Sequence, residues 1–288
     1  MDVAKSLCAI VASGRAKRGV ARLCKGEILT RAVNILERAG RVVLVTGFYV
    51  PIAKSPETDG PPGTAVLARA LQGLGKTVET ATDRPNIEAF AACCSVLGIE
   101  APLCVFSPEE ILARDPDALV FVERLGAAAD GRYYNMRGED ITFWTACLDR
   151  AASLVEGEIP VVAIGDGGNE AGMGCLKEEL ENLLPSFSKC LCQVTADVAL
   201  PVDVSNWGAY ALSGLLSVKA GRWLGHDLRE ERAMIEAMVE RGAVDGVSCL
   251  RTASVDGMPA EVHEAVVNRI RNLCMEHIQK KGAESARA

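Results

Sequence analysis

Arg41-Val42-Val43-Leu44-Val45-Thr46 is apolar from its second residue to its fifth and shows no alternation of polar with apolar side chains. A strand with one face in water alternates, whereas a strand buried on both faces does not, so this segment reads as a parallel strand covered by helices above and below. The flanking sequence agrees. From Gly26 to Gly40, Ile28, Leu29, Ala32, Val33, Ile35, Leu36 and Ala39 recur at helical spacing and a glycine closes the run. Downstream, Thr77–Ala81, Pro102–Phe106, Ala118–Val122, Ile159–Ala163 and Cys190–Asp197 read as further strands. Helical patterns over Thr64–Leu74, Asn86–Leu97, a short run from Pro108, Ile141–Val155 and one opened by Glu170 or Met173 that reaches Leu184 separate them. Strand and helix alternate, which predicts an α/β fold: a mostly parallel sheet with helices on both faces. Helices over Ala209–Ala220, Leu228–Arg241 and Pro259–Lys280 follow, with a frayed tail over 281–288. No repeat, low-complexity stretch or linker interrupts the chain, so one domain over 1–288 is expected.

Composition narrows the function. The chain has 288 residues, 49% hydrophobic and 24% charged, with net charge −7. An acidic balance argues against nucleic acid as the partner, because phosphate binding rests on concentrated Lys and Arg. No apolar run reaches the roughly 20 residues of a spanning helix, so no membrane segment is expected. Arg15, Lys17, Arg18, Arg22 and Lys25 give the N-terminal region a basic run, but Asp2 and the lack of a serine-rich amphipathic pattern weigh against a targeting peptide. The eleven cysteines include no Cys-x-x-Cys and no zinc spacing. They read as small buried hydrophobes in a reducing cytoplasm, with a reactive cysteine as the lesser reading. His263 and His277 read as surface residues of the last helix.

The chemistry concentrates in four loops, at 47–63, 123–140, 165–172 and 203–208. Each follows a strand and precedes a helix. In a parallel sheet such loops emerge together at the carboxyl edge, where open α/β sheets bind ligands. Glu57, Asp59, Glu123, Arg124, Tyr134, Asn135, Arg137, Asp166, Asn169, Glu170, Asn206 and Trp207 can therefore converge. The richest loop is Ile164-Gly165-Asp166-Gly167-Gly168-Asn169-Glu170-Ala171-Gly172-Met173-Gly174. Gly165-Asp166-Gly167 begins like a dinucleotide fingerprint, but Glu170 stands at the third glycine and would repel a pyrophosphate. No phosphate loop or nucleophile elbow is present. The carboxylates suit Mg²⁺ or another divalent cation, although no cofactor is required by the pattern. Their other reading is turn and cap chemistry, as at Asp59-Gly60 and Asp130-Gly131.

Thr46-Gly47-Phe48, Glu57-Thr58-Asp59-Gly60-Pro61-Pro62-Gly63, Glu123-Arg124-Leu125-Gly126, Tyr134-Asn135, Gly165 to Glu170 with Gly172-Met173-Gly174, and Ser205-Asn206-Trp207-Gly208 together resemble the D-glutamate cyclase family over nearly the whole chain. The resemblance implies a hydro-lyase that closes D-glutamate to 5-oxo-D-proline with loss of water. An acidic amino acid is then the partner, and self-association stays open. On chemical grounds Asp166 or Glu170 takes the ammonium proton. Asn169, Arg124, Arg137 and the amides of Gly167 and Gly168 stabilise the developing oxyanion, and the α-carboxylate rests on the helix start after Gly172. Glu57, Asp59, Tyr134, Asn135, Asn206 and Trp207 complete the expected substrate pocket. A metal-assisted phosphohydrolase and a non-catalytic binder of acidic amino acids are the other readings.

Overall fold

The computed structural model describes residues 2–16 and 18–285; Lys17 of the basic run and residues 286–288 of the tail lie outside them. Six strands form one sheet: β1 (Arg41–Gly47), β2 (Thr77–Thr82), β3 (Leu103–Cys104), β4 (Ala118–Arg124), β5 (Val161–Gly165) and β6 (Val198–Pro201). All neighbours pair in parallel, in the order β3-β2-β1-β4-β5-β6. The order reverses between β1 and β4, and that switch point opens a crevice at the carboxyl ends of the strands.

Ten helices complete the described chain: α1 (Val3–Val11), α2 (Gly26–Arg38), α3 (Pro61–Gln72), α4 (Ile87–Val96), α5 (Pro108–Leu112), α6 (Arg150–Leu154), α7 (Lys177–Leu183), α8 (Ser205–Ala220), α9 (Leu228–Glu240) and α10 (Ala260–Ser285). The apolar run that announced β1 divides between two cores. Val42 and Leu44 pack with Val120 and Val122 against α1, α2, α3, α8 and α10. Val43 and Val45 join Leu119 and Phe121 under α5 and α6. Helix α8 is buried over almost its full length, so it carries little of the amphipathic signal on which periodicity relies.

Several boundaries differ from the expected ones, each for a local reason. Pro61 and Pro62 open α3 instead of ending a loop, because the first turn needs no N–H donors there. The expected helix over Ile141–Val155 breaks: the Asp140 carboxylate accepts from the Thr142 N–H and hydroxyl, leaving a 3₁₀ turn at Thr142–Trp144 and a helix only at Arg150–Leu154. The sixth strand lies at Val198–Pro201, not Cys190–Asp197. Pro185–Cys190 is a 3₁₀ helix, the Asp197 carboxylate accepts from Val161 N–H, and pairing with β5 starts at Val198. His263 is buried rather than on the surface, with its Nδ1 accepting from Trp207 Nε1 at 3.0 Å, and His277 is half-buried. Five cysteines are buried and two, Cys104 and Cys175, are exposed; all eleven are free thiols.

Candidate active site

The crevice at the switch point contains a cavity of about 310 Å³. Glu57 comes from the loop after β1, Glu123 from the end of β4, Asn135 and Arg137 from the following loop, and Asp166 from the end of β5. These five expected residues meet there. Phe48, Val50, Met136 and Val247 supply apolar wall.

Two contributors escaped the sequence reading. Arg18, which the sequence placed in a basic terminal run, reaches across to pair with Asp166 Oδ1 and, at 2.7 Å, with Asp256 Oδ1. Asp256 sits in a two-residue hairpin between Ser254–Val255 and Met258–Pro259, with positive φ at both Asp256 and Gly257. Asp-Gly between short extended runs is the signature of that turn, so the hairpin was legible. Its carboxylate's destination was not. Asp245 knits the same loop, accepting from Val247, Ser248 and Gly257 N–H groups.

The backbone is strained where it presents these groups. Glu123 adopts φ +46° and Asp256 φ +54°, left-handed conformations that cost a residue with a Cβ about 1–3 kcal/mol. Gly60, at φ +99°, lies so close that a Cβ there would stand 2.6 Å from Thr46 Oγ1 and 2.8 Å from Glu123 Cβ. Gly246 lets the Glu57 carboxylate press on the backbone, since a Cβ would meet Glu57 Oε1 at 1.7 Å.

Five carboxylates, Glu57, Asp59, Glu123, Asp166 and Asp256, crowd around the Arg18 guanidinium; the first four residues are buried, and the side chain of half-buried Asp256 is 2% exposed. Burial opposes the charge of Arg18, but Asp166, Asp256, Glu123 and Glu57 outweigh it and hold the guanidinium above its ordinary pKa. Burial and the charges of Asp256 and Asp59 push Glu57 well above the carboxylate range. Burial and Glu170, Asp59 and Glu57 do the same to Glu123. Asp59 is pushed up to about 8 by burial and Asp256, against the hydrogen bonds it accepts from Asn206 and Ser205 N–H. The cluster therefore favours protonated carboxyl groups and is short of positive charge.

Other expected residues serve the scaffold. Glu170 lies beneath its own loop: Oε1 accepts from Asp166 N–H at 2.8 Å and from Gly167 N–H, and Oε2 from Gly168 N–H at 2.6 Å. The glycine amides expected to cradle a ligand's oxygens thus cradle this carboxylate. Asn169 donates to Tyr134 O, joining two loops, and Tyr134 donates its hydroxyl to Asp130 at the surface. Arg124 is fully buried, paired with Asp83 at 2.8 Å and donating to the carbonyls of Gly47 and Ala146. Asp59 accepts from Ser205 and Asn206 N–H at the start of α8, while Asn206 Oδ1 accepts from Gly60 and Gly63 N–H. Trp207 is buried against His263. A 3₁₀ turn at Gly174–Leu176 follows Gly172 and runs into α7, but the Gly172 and Gly174 amides that would receive an α-carboxylate donate to Val194 O.

Two overlapping carboxylate sets could hold a metal ion: Asp59, Asp166 and Asp256, and Glu123, Asp166 and Glu170, each with ligand oxygens within 4.8 Å of one another. Oδ2 of Asp166 and Oδ2 of Asp256 are buried without hydrogen-bond partners, so the first set has lone pairs to offer. Hard oxygen donors of this kind suit Mg²⁺ or Mn²⁺. Among the described residues, no helix is long and apolar enough to cross a membrane.

Comparison with solved structures returns an exopolyphosphatase-related protein from Bacteroides fragilis, with TM-score 0.44, 10% identity, and 87% of this chain and 58% of that one covered. It also returns RecJ in complex with Mn²⁺ from Thermus thermophilus, with TM-score 0.38, 14% identity, and 90% and 39% covered. Among curated proteins, human mitochondrial D-glutamate cyclase is 33% identical over 291 residues, covering 84% of this chain. The chain spans 47% of that relative's length. The family model for the C-terminal region of D-glutamate cyclase-like proteins matches residues 7–271, a span that takes in Arg18, every strand of the sheet and the Asp256 hairpin. On that match, this chain belongs to the D-glutamate cyclase-like family.

Proposed function

We propose that the chain is a hydro-lyase that closes D-glutamate to 5-oxo-D-proline and water. The observation that carries this reading is the carboxylate cluster itself, with Arg18 inside it and Arg137 at its rim. A substrate with one ammonium and two carboxylates meets both signs of charge in a cavity of a few hundred Å³, and family membership supports the same substrate.

The chemistry follows from the protonation states. Ring closure joins groups of one molecule, so holding a folded conformer supplies much of the rate. Asp166 Oδ2, which has no partner, takes a proton from the substrate ammonium; burial pushes its carboxyl well above the ordinary range, which strengthens it as a base, while the charge of Arg18 favours its ionised form. The freed amine attacks the γ-carboxyl carbon, forming the C–N bond. Glu123 and Glu57, whose burial and neighbouring carboxylates favour the protonated form, donate toward the γ-oxygen as its C–O bond breaks. Two protons leave nitrogen and two reach the departing water, so the carboxyl groups pass protons without net consumption. Arg137 receives the α-carboxylate, and the Arg18 guanidinium offsets the charge that builds on the γ-oxygens. A divalent cation held by Asp59, Asp166 and Asp256 would supply further polarisation of the γ-carboxylate.

The test is direct. Purified protein is incubated with D- and with L-glutamate, with Mg²⁺ or Mn²⁺ and with a chelator, and 5-oxoproline is followed by chromatography. Product from D-glutamate supports the reading. Absence of product from either enantiomer under all conditions removes it.

A further inference from the structure

Cys8 of α1 and Cys24, which closes the 3₁₀ turn Val20–Leu23, stand with their sulfur atoms 2.7 Å apart. A disulfide places them at about 2.05 Å. Both are free thiols, and both line a surface cleft of about 480 Å³ that also carries Lys5, Arg22 and Lys25. These exposed cations attract anionic reagents. A hydrogen bond with Cys24 holds the Cys8 thiol below its ordinary value, against the effect of burial, while the same bond and burial push the Cys24 thiol up, so Cys8 is the attacking thiolate of the two. Sixteen positions separate the two cysteines, and what lies between them is the segment that delivers Arg18.

Among its described residues, the segment is anchored at its ends by buried Ile10, Val11 and Ala21, with Asp203 N–H donating to Val11 O, and between them by a few contacts. The Ser13 hydroxyl and the Arg15 N–H each donate to Asp203 Oδ2 at 3.1 Å, Val20 is buried, and Arg18 itself reaches Asp166 and Asp256. We propose that Cys8 and Cys24 are a redox pair, whose intramolecular disulfide closes the segment into a loop and holds Arg18 in the carboxylate cluster. The oxidant is a low-molecular-weight disulfide. The Cys8 thiolate attacks one of its sulfurs, forming a mixed disulfide and expelling one small thiolate. Cys24 then loses its proton and attacks Cys8 Sγ, expelling the second. Two protein thiols are oxidised and one small disulfide is reduced to two thiols. Closing the loop removes conformations in which the segment lifts away, so the oxidised form keeps Arg18 seated for a larger share of the time. The pair stands on thiol geometry alone, whereas its effect on turnover rests on the cyclase reading.

The experiment uses the full chain, first reduced and then equilibrated with oxidised glutathione. Alkylation and peptide mapping should show two thiols lost, an intact mass lower by about 2 Da, and a cross-linked peptide joining Cys8 to Cys24. Amide hydrogen exchange over residues 12–19 should slow by roughly tenfold in the oxidised form and recover on reduction. Cys8→Ser and Cys24→Ser should each abolish both effects. A persistent glutathione adduct, a cross-link to another cysteine, or a Cys8–Cys24 cross-link with unchanged exchange would overturn the proposal. If D-glutamate is turned over in neither redox state while the cross-link and the slowed exchange are found, the redox pair stands and the cyclase reading fails. Equal turnover in both states, with the cross-link formed, overturns the control of Arg18.

Discussion

Replacing Glu170 by Gln tests whether this carboxylate serves the scaffold or the reaction. The native side chain accepts three backbone N–H groups, from Asp166, Gly167 and Gly168, and is 1% exposed. Glutamine keeps one oxygen, enough for the two donors that share Oε1, but turns an NH₂ toward the third. One charge-assisted bond is lost, a buried donor is left facing a donor, and the two remaining bonds lose their charge. With about 1.5–3 kcal/mol for a hydrogen bond to a charged group and about 1–3 kcal/mol for an unsatisfied buried donor, the expected loss is about 3–5 kcal/mol. At roughly 2–4 °C per kcal/mol for a chain of this size class, the thermal midpoint should fall by about 6–20 °C. Differential scanning fluorimetry with a urea titration measures both. A variant within about 1 kcal/mol of wild type, with normal secondary structure, would refute the nest geometry and return Glu170 to the list of candidate bases.

Three further outcomes follow from the same geometry. Arg124→Met removes the partner of buried Asp83 and should cost about 3–5 kcal/mol by denaturation, while turnover per folded molecule stays near wild type, because the guanidinium faces Asp83 and two carbonyls rather than the cavity. Gly60→Ala should destabilise by more than about 2 kcal/mol in the same assay, since φ +99° and the 2.6 Å approach to Thr46 Oγ1 both disfavour a Cβ. For pH, Glu57, Asp59 and Glu123 have folded pKa values raised above their unfolded values near 4. Their protonated forms favour the folded state, so the stability they contribute is fully present below about pH 4. It is lost as pH rises through the folded values, for Asp59 about 8. Unfolding free energy of the metal-free protein should therefore fall between about pH 5 and pH 8. Millimolar Mg²⁺ or Mn²⁺ should restore more of it at pH 8 than at pH 5. A flat or rising profile would contradict the crowding of these carboxylates.

The sheet was legible because β1, β4 and β5 are apolar on both faces, a pattern with one physical cause. The convergence of Glu57, Glu123, Asn135, Arg137 and Asp166 was legible because strand-end loops in a parallel sheet share an edge. What stayed hidden depends on side-chain direction. Nothing local tells that Glu170 bends back under its own glycines, or that Arg124, one residue after Glu123 on the strand, points to the opposite side and pairs with Asp83. Arg18 lies outside every strand-end loop, and Asp256 belongs to a hairpin beyond the sheet. Only three-dimensional packing unites residues 148 and 238 positions apart. The sixth strand was misplaced because Cys190 to Val194 carries strand-like composition without a neighbour to pair along its length.

The central claim is that the γ-carboxylate of D-glutamate loses an oxygen as water while its own amine closes on the carbon. D-Glutamate carrying ¹⁸O in both γ-oxygens tests this when 5-oxoproline is weighed by mass spectrometry, for wild type beside Asp166→Asn at equal folded fraction. The expected product retains one labelled oxygen, is formed by wild type and is strongly diminished in the variant. Absence of product, or formation at the same rate in the variant as in wild type, would contradict it.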